Sequence, residues 1–72
     1  MVVFTKLWET MKRKGISTYA LREKYYIDNR LIRRLRANQN VTTGTLSKLC
    51  AILDCELSDI AEYIPDSDDK NN

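Results

Sequence analysis

Apolar residues recur along this chain at intervals of three and four residues, the spacing that places side chains on one face of a helix. The first such segment contains Phe4, Leu7, Trp8 and Met11, and we interpret Trp8 as a core anchor. Three later segments show the same spacing, and Ser17 before Leu21 indicates a further short helix. No segment alternates apolar and polar residues as a half-buried strand does. The sequence therefore predicts an all-α fold of five short helices.

Residues that can cap a helix set the expected boundaries. Side chains that accept a hydrogen bond from a free N–H begin helices, and glycine or proline ends them. The expected starts of the first four helices are Thr5, Ser17, Asp28 and Thr42 or Thr43. The first is expected to end at Gly15, the second near Lys24 and the third at about Ala37. The fifth is expected to end before Pro65 and to carry Leu57, Ile60, Ala61 and Ile64.

The length of 72 residues fits one domain, which we expect over residues 1–65. A chain this short buries only roughly 60% of its unfolded surface, so a large enclosed active site is not expected. Residues 66–72 are polar and acidic with nothing apolar to bury, which predicts a disordered tail. The chain shows neither a membrane-spanning apolar run nor a signal peptide, so we expect a cytoplasmic, nucleoid-associated protein with no membrane partner.

Few residues could carry catalysis or hold a metal. Cys50 and Cys55 are the only cysteines, and the chain contains no histidine. A zinc site would need two further ligands from carboxylates or a second chain, and a reducing compartment disfavours a disulfide. We therefore interpret both cysteines as small core residues. We expect no enzyme activity, catalytic residue, metal, cofactor or small-molecule ligand.

The charge of the chain is strongly asymmetric. Residues 1–40 carry a net charge of +7 and residues 41–72 a net charge of −5, within a total of +2. One side of the molecule is thus suited to a polyanion. Nucleic acid is the first candidate, and an anionic membrane is the second.

The third predicted helix, from about Asn29 to Ala37, concentrates this positive charge. At about 100° per residue, its apolar side chains Leu31, Ile32 and Leu35 share one arc, which must face the core. Four polar residues lie opposite that arc or on its flanks: Asn29, Arg30, Arg33 and Arg34. Arginine binds guanine bidentately and asparagine can do the same for adenine, so these four are the predicted base-reading residues in a major groove.

A run of arginines on a helix also fits a plain solvated face, because arginine is a good helix former. A solvated face, however, normally mixes charge signs to gain favourable pairs between residues four apart. Here the cap Asp28 is the only acid beside the arginines, which therefore repel one another at a cost in stability. A function that uses the charge is the better interpretation, and it predicts binding to DNA or RNA.

Several stretches of the sequence resemble the Cro- and lambda-repressor-like (XRE-family) transcriptional regulators. Gly15–Leu21 and Ile27–Leu35 are similar to the helix-turn-helix of that family. Asn40–Thr43 and the segment from Leu46 to Cys55, with Leu7–Trp8 near the start, look like the short single-domain bacterial and phage members. The resemblance covers about residues 5–65. It implies a five-helix, lambda-repressor-like DNA-binding domain in which helices two and three form the motif.

The resemblance also implies which residues contact DNA. The base-reading positions of the family correspond to the four residues already identified on the third helix: Asn29, Arg30, Arg33 and Arg34. The phosphate-contacting positions of the family correspond to Ser17, Thr18, Asn38, Asn40 and Thr43. Arg36, nearer the apolar edge of the third helix, is a further phosphate candidate.

Three residues depart from the family pattern. Thr18 stands where glutamine is common, Arg22 where alanine is common, and Tyr26 where the turn commonly has glycine. Arginine at position 22 fits only if its stem turns outward. Tyrosine at position 26 is either strained in a left-handed backbone or changes the shape of the turn.

The predicted function is that of a sequence-specific regulator, a repressor, which binds double-stranded DNA as a homodimer with its third helix in the major groove. The candidate dimer surfaces are the Val2–Val3 arm and the region around Tyr63–Ile64. The alternative is an interaction module, such as an antitoxin or a phage regulator, whose main partner is another protein. The acidic residues 66–72 and the small size of the domain are compatible with this alternative.

Overall fold

A computed structural model describes residues 1–65, so the predicted tail at 66–72 lies outside the described residues. This part of the chain contains four α-helices: α1 (Thr5–Lys14), α2 (Thr18–Glu23), α3 (Asn29–Arg36) and α4 (Thr43–Leu53). A 3-10 turn at Leu57–Asp59 follows α4. Two short strands, β1 (Val2–Val3) and β2 (Glu62–Tyr63), pair antiparallel. No helix within residues 1–65 is long and apolar enough to cross a membrane.

The helix starts follow the capping residues, with one exception. Ser17, Asp28 and Thr42 each accept a hydrogen bond from a backbone N–H of the first turn, at 3.1, 2.9 and 3.2 Å respectively. These bonds satisfy N–H groups that have no partner within the helix. Helix α1 begins without a side-chain cap, because Phe4 occupies the capping position and Thr5 is already helical. The predicted cap at Thr5 is therefore wrong.

One apolar cluster holds the helices together. All four helices contribute to it, and its buried members are Phe4, Leu7, Met11, Leu21, Ile27, Ile32, Leu35, Leu49, Leu53 and Ile60. The prediction that the apolar arc of α3 faces the core is confirmed for Ile32 and Leu35. Leu31 is half-buried at the edge of the same cluster. This arrangement determines which side of α3 remains open to solvent.

The predicted fifth helix is not observed. After α4, only Leu57–Asp59 are helical, as a 3-10 turn, and Glu62–Tyr63 form β2 instead of continuing a helix. In the strand pair Val2 lies opposite Tyr63, and Val3 lies opposite Glu62. The described fold is therefore mostly helical, as predicted, but it has four α-helices and a small two-stranded sheet in place of five helices.

The apolar spacing after α4 misled the helix prediction because it does not mark one buried face. Ile60 is fully buried, whereas Leu57 is 54% exposed and Ile64 is 45% exposed. Ile64 also precedes Pro65, and a residue before proline is driven from the helical region toward an extended backbone. The N–H of Ile64 donates to the carbonyl of Met1 at 2.8 Å. No local pattern reveals this partner at the other end of the described chain.

The turn between α2 and α3 places a tyrosine in the left-handed backbone region. Tyr26 has a φ of 59°, and its side chain is 83% exposed. The next N–H, that of Ile27, donates to the carbonyl of Leu21 at 2.9 Å and closes the end of α2. The turn thus has a shape that glycine adopts without strain. Of the two alternatives predicted for Tyr26, the strained backbone is the one observed.

Replacing Tyr26 by glycine is expected to stabilise the protein. A left-handed backbone costs a residue with a Cβ roughly 1–2 kcal/mol, and the added chain entropy of glycine offsets about 0.5–1 kcal/mol of that gain. The expected net gain in the free energy of unfolding is up to about 1.5 kcal/mol, measured by urea denaturation. Tyr19→Gly is the matched control, since Tyr19 is exposed within α2, and it should destabilise. A urea midpoint lower for Tyr26→Gly than for the wild type would contradict a strained backbone at Tyr26.

Candidate nucleic-acid interface

The arginines of α3 share one exposed surface. Ile32 and Leu35, which are 3% and 0% exposed, hold the helix against the core and leave the opposite side to solvent. All the predicted DNA-contacting residues of α3 are exposed: Asn29, Arg30, Arg33, Arg34 and Arg36. The four arginines border one shallow concavity together with Ala37 and Gln39. We call these four arginines the arginine face.

Asp28 supplies the only negative charge that contacts the arginine face within residues 1–65. Its carboxylate lies 3.5 Å from the guanidinium of Arg30, and the two side chains are 57% and 80% exposed respectively. An exposed ion pair of this kind contributes little to stability. Arg30 can therefore exchange its contact with Asp28 for a contact with a base or a phosphate.

The capping role of Asp28 also changes its titration. The hydrogen bond from the backbone N–H of Arg30 lowers the pKa of the Asp28 carboxyl, and the nearby guanidinium charge adds to this effect. A carboxyl with a lowered folded-state pKa contributes stability that is complete above its unfolded pKa, about 3.9. That contribution is lost as the pH falls through the folded-state pKa. Acid is therefore expected to weaken the start of α3.

An Asp28→Asn variant tests this pH dependence. Asparagine retains a capping oxygen but cannot titrate. As the pH falls below about 4, the free energy of unfolding of the variant should therefore decrease less steeply than that of the wild type. The measurement is the urea midpoint as a function of pH. Asp54→Asn is the control, because Asp54 lies at the end of α4 and caps no helix start. If the urea midpoint fell equally at low pH for Asp28→Asn and for the wild type, the role of this carboxyl would be contradicted.

The predicted phosphate-contacting residues divide between two further concavities. Ser17 and Thr18 border one of them with Arg36. Asn38 and Asn40 border the other with Gln39, which also borders the concavity of the arginine face. Thr43, the exposed first residue of α4, borders none of the three. The contacts of these residues with DNA remain predictions.

Asn38 has a structural role that the sequence did not predict. Its Oδ1 accepts a hydrogen bond from the N–H of Phe4 at 2.8 Å, which holds the segment between β1 and α1 against the end of α3. Its backbone is left-handed, with a φ of 56°, a region that asparagine enters more readily than most residues. Because Oδ1 is committed to Phe4, only the amide N–H₂ of this side chain remains to donate to a phosphate.

The sequence did not predict the placement of two residues beside the arginine face. Gln39 is exposed beside the arginines, and its N–H donates to the carbonyl of Arg34 at 2.9 Å where α3 ends. The position of Gln39 could have been predicted from Asn38, because asparagine can adopt the left-handed backbone that ends a helix. Trp8, predicted as a core anchor, is only half-buried, and the guanidinium carbon of Arg36 lies 4.7 Å from its ring centre. Helical spacing alone gives no signal for that contact.

The side chain of Arg22 turns outward, as expected for an arginine at a position where the family commonly has alanine. It is exposed, and its guanidinium carbon lies 5.8 Å from the ring centre of Tyr19 on the same helix. The inward residue of α2 is Leu21, which is fully buried. Helix α2 therefore packs on the core without burying the charge of Arg22.

The two cysteines are free, half-buried thiols that pack against the core. Burial raises the pKa of the Cys55 thiol, and the neighbouring Cys50 adds to the shift. Burial thus favours the neutral thiol of Cys55 over its thiolate. Within residues 1–65, no three potential metal-ligating side chains lie together.

Comparison with known proteins finds similarity to a family of DNA-binding domains and to a transcriptional regulator. A family model described as the Cro/C1-type HTH DNA-binding domain matches residues 6–66. The crystal structure of the transcriptional regulator VanUg, form II, is similar to this chain, with a TM-score of 0.80 and 29% sequence identity. The similarity covers 90% of this chain and 87% of the VanUg chain. Among curated protein sequences, none matches the chain significantly.

Proposed function

Because the chain belongs to the Cro/C1-type helix-turn-helix family of DNA-binding domains, we propose that it is a sequence-specific repressor that inserts α3 into the major groove. The observation that carries the proposal is the arginine face. Its four arginines are exposed and border one shallow concavity, and Asp28 is the only acid that contacts them within residues 1–65. Guanidinium groups near the start of such a helix reach base edges and bind guanine bidentately.

The proposal assigns different tasks to the exposed residues. Bases are read by four residues of α3: Asn29, Arg30, Arg33 and Arg34. Phosphates are contacted by residues at the starts of α2 and α4, at the end of α3 and in the loop that follows it: Ser17, Thr18, Arg36, Asn38, Asn40 and Thr43. The phosphate contacts set the position and orientation of the domain on the duplex, while the base contacts supply the sequence preference.

A selection from random duplexes at a defined salt concentration tests the proposal. We expect enrichment of one sequence that contains guanines, and an affinity that falls as salt rises, because bound phosphates release counterions. The absence of salt-dependent binding to any duplex would contradict DNA binding. Salt-dependent binding without enrichment would contradict base reading by α3.

The proposed repressor role rests on occupancy of the DNA site. A domain that covers a site within a promoter excludes other proteins from that site, and it needs no further contact to do so. Transcription from a promoter that carries the selected sequence should therefore fall when the protein is present. Increased transcription from the same promoter would contradict repression.

We also propose that the protein binds DNA as a homodimer. Helix α3 has eight residues, so one copy reads few base pairs, and a two-fold dimer doubles the site. Seven large apolar side chains are exposed within residues 1–65, and five of them lie on or near the strand pair: Met1, Val2, Leu57, Tyr63 and Ile64. This apolar patch shares no residue with the arginine face.

The mass in solution tests the dimer. Light scattering should give the mass of two chains, with or without DNA, and a monomer at high concentration in both cases would contradict the proposal. Tyr63→Glu places a charge within the apolar patch and should shift the mass toward that of one chain. Tyr19→Glu is the matched control, because Tyr19 is equally exposed but lies on α2, outside the patch.

A further inference from the structure

Arg36 differs from the other members of the arginine face because its side chain lies against an aromatic ring. Its guanidinium carbon lies 4.7 Å from the ring centre of Trp8 on α1. Arg30 contacts the carboxylate of Asp28, and the charge of Arg33 also acts on that carboxylate. Arg34 has neither a charged nor an aromatic partner within residues 1–65. Trp8 packs against the core but is only half-buried, so part of its ring is available to Arg36.

Contact with an indole leaves the hydrogen-bonding groups of Arg36 unused. An aromatic ring attracts the positive charge of a guanidinium, and the indole of tryptophan offers no acceptor that would occupy its N–H donors. Within residues 1–65, the side chain of Arg36 forms no hydrogen bond or ion pair. An indole, unlike a carboxylate, does not neutralise the charge. Arg36 is thus held in place while its charge and its donors remain available for an anion.

The surroundings of the stacked guanidinium suit a phosphate group. Trp8 and Arg36 border a concavity that is also lined by Lys12, Ser17 and Thr18, and no acidic side chain lines it. The Oγ of Ser17 accepts a hydrogen bond from a backbone N–H, so its own proton remains to be donated. A phosphate oxygen at this place would meet two cations and two hydroxyl groups, each able to donate.

We propose that Trp8 is a positioning residue, which holds Arg36 ready to bind one backbone phosphate of the duplex. The inference rests on the proposed binding of DNA by this chain. An arginine side chain loses rotamer freedom when it binds, and a side chain that is already held in place loses less. Trp8 therefore strengthens binding without contacting DNA itself.

A double-mutant cycle with Trp8→Leu and Arg36→Ala tests this inference. The readout is the Kd for one selected duplex at several salt concentrations. Trp8→Leu is expected to weaken binding about two- to tenfold when Arg36 is present, and to have no further effect when residue 36 is alanine. Arg36→Ala alone should reduce the slope of log Kd against log salt by about one, because one fewer phosphate is neutralised.

Two further measurements separate positioning from packing. Trp8→Phe keeps an aromatic ring that attracts a cation less strongly, so it should lose a smaller part of the affinity, and again only when Arg36 is present. Trp8 is the only tryptophan of the chain, so its fluorescence reports on the stack and should change in Arg36→Ala. Arg13→Ala is the control, because it removes the same charge from an exposed position of α1 and should leave the emission unchanged.

The possible results are distinguishable. Equal losses from Trp8→Leu with and without Arg36 would show that Trp8 acts only through packing, which would overturn the inference and leave the proposed function intact. If the wild-type protein binds no duplex at any salt concentration, the proposed function and this inference both fail. If Trp8→Leu does not fold, the same cycle with Trp8→Phe decides the question.

Discussion

Leu35→Ala is expected to lower the free energy of unfolding by about 2–5 kcal/mol, the largest loss that we predict for a single substitution. Leu35 is fully buried in the core cluster, on the inward side of the helix that carries the arginine face. Small domains are stabilised by only roughly 5–15 kcal/mol in total. The loss therefore populates unfolded molecules, and DNA binding should weaken because α3 is no longer held. Urea denaturation measures the change directly.

Leu57→Ala is the matched control for Leu35→Ala. It removes the same atoms from a side chain that is 54% exposed, so we expect a change within about 0.5 kcal/mol. The pair also tests the corrected fold, since a fifth helix would have placed Leu57 on an inward face. Similar losses for the two variants would contradict the observed burial.

Arg34→Ala is expected to weaken binding to the selected duplex by about 1–3 kcal/mol, roughly a factor of 5 to 150, and to relax the preference for one base. Arg34 is exposed on the arginine face and forms no ion pair within residues 1–65. Its guanidinium therefore has no ion pair to break before it binds a guanine edge. Competition binding with duplexes that differ at single positions measures both effects.

Arg36→Ala is the matched control for Arg34→Ala, because it removes the same charge from the same helix. It should weaken binding to selected and random duplexes alike, as expected of a phosphate contact. The ratio of the two affinities should therefore change for Arg34→Ala and remain nearly constant for Arg36→Ala. A constant ratio for Arg34→Ala would contradict its role in base reading.

The helices and the exposed side of α3 could be predicted because they follow from short-range patterns. Apolar spacing identified the core side of α3, and the side chains of Ser17, Asp28 and Thr42 identified three helix starts. Once Ile32 and Leu35 face the core, the geometry of a helix requires the arginines to face away from it. The same spacing failed after α4, where Leu57 and Ile64 are exposed and the backbone is paired with β1.

Features of the candidate site that join distant segments could not be predicted in this way. Asn38 was expected to contact phosphate, but its Oδ1 binds the N–H of Phe4, 34 residues earlier. Trp8 was expected to be a core anchor, but it also supports Arg36 from a different helix. Each contact depends on how two elements pack, and neither leaves a periodic or capping signal in the sequence around it.

The sequence by itself determined four helices and the polar side of α3. These features depend on residues within a few positions of one another, through helical periodicity and capping hydrogen bonds. Only the tertiary structure decided that residues 62–63 pair with β1 and that Arg36 stacks on Trp8. Those contacts depend on the relative placement of segments that the core brings together. The positive helix was evident from the sequence, but the way its last arginine is held was not.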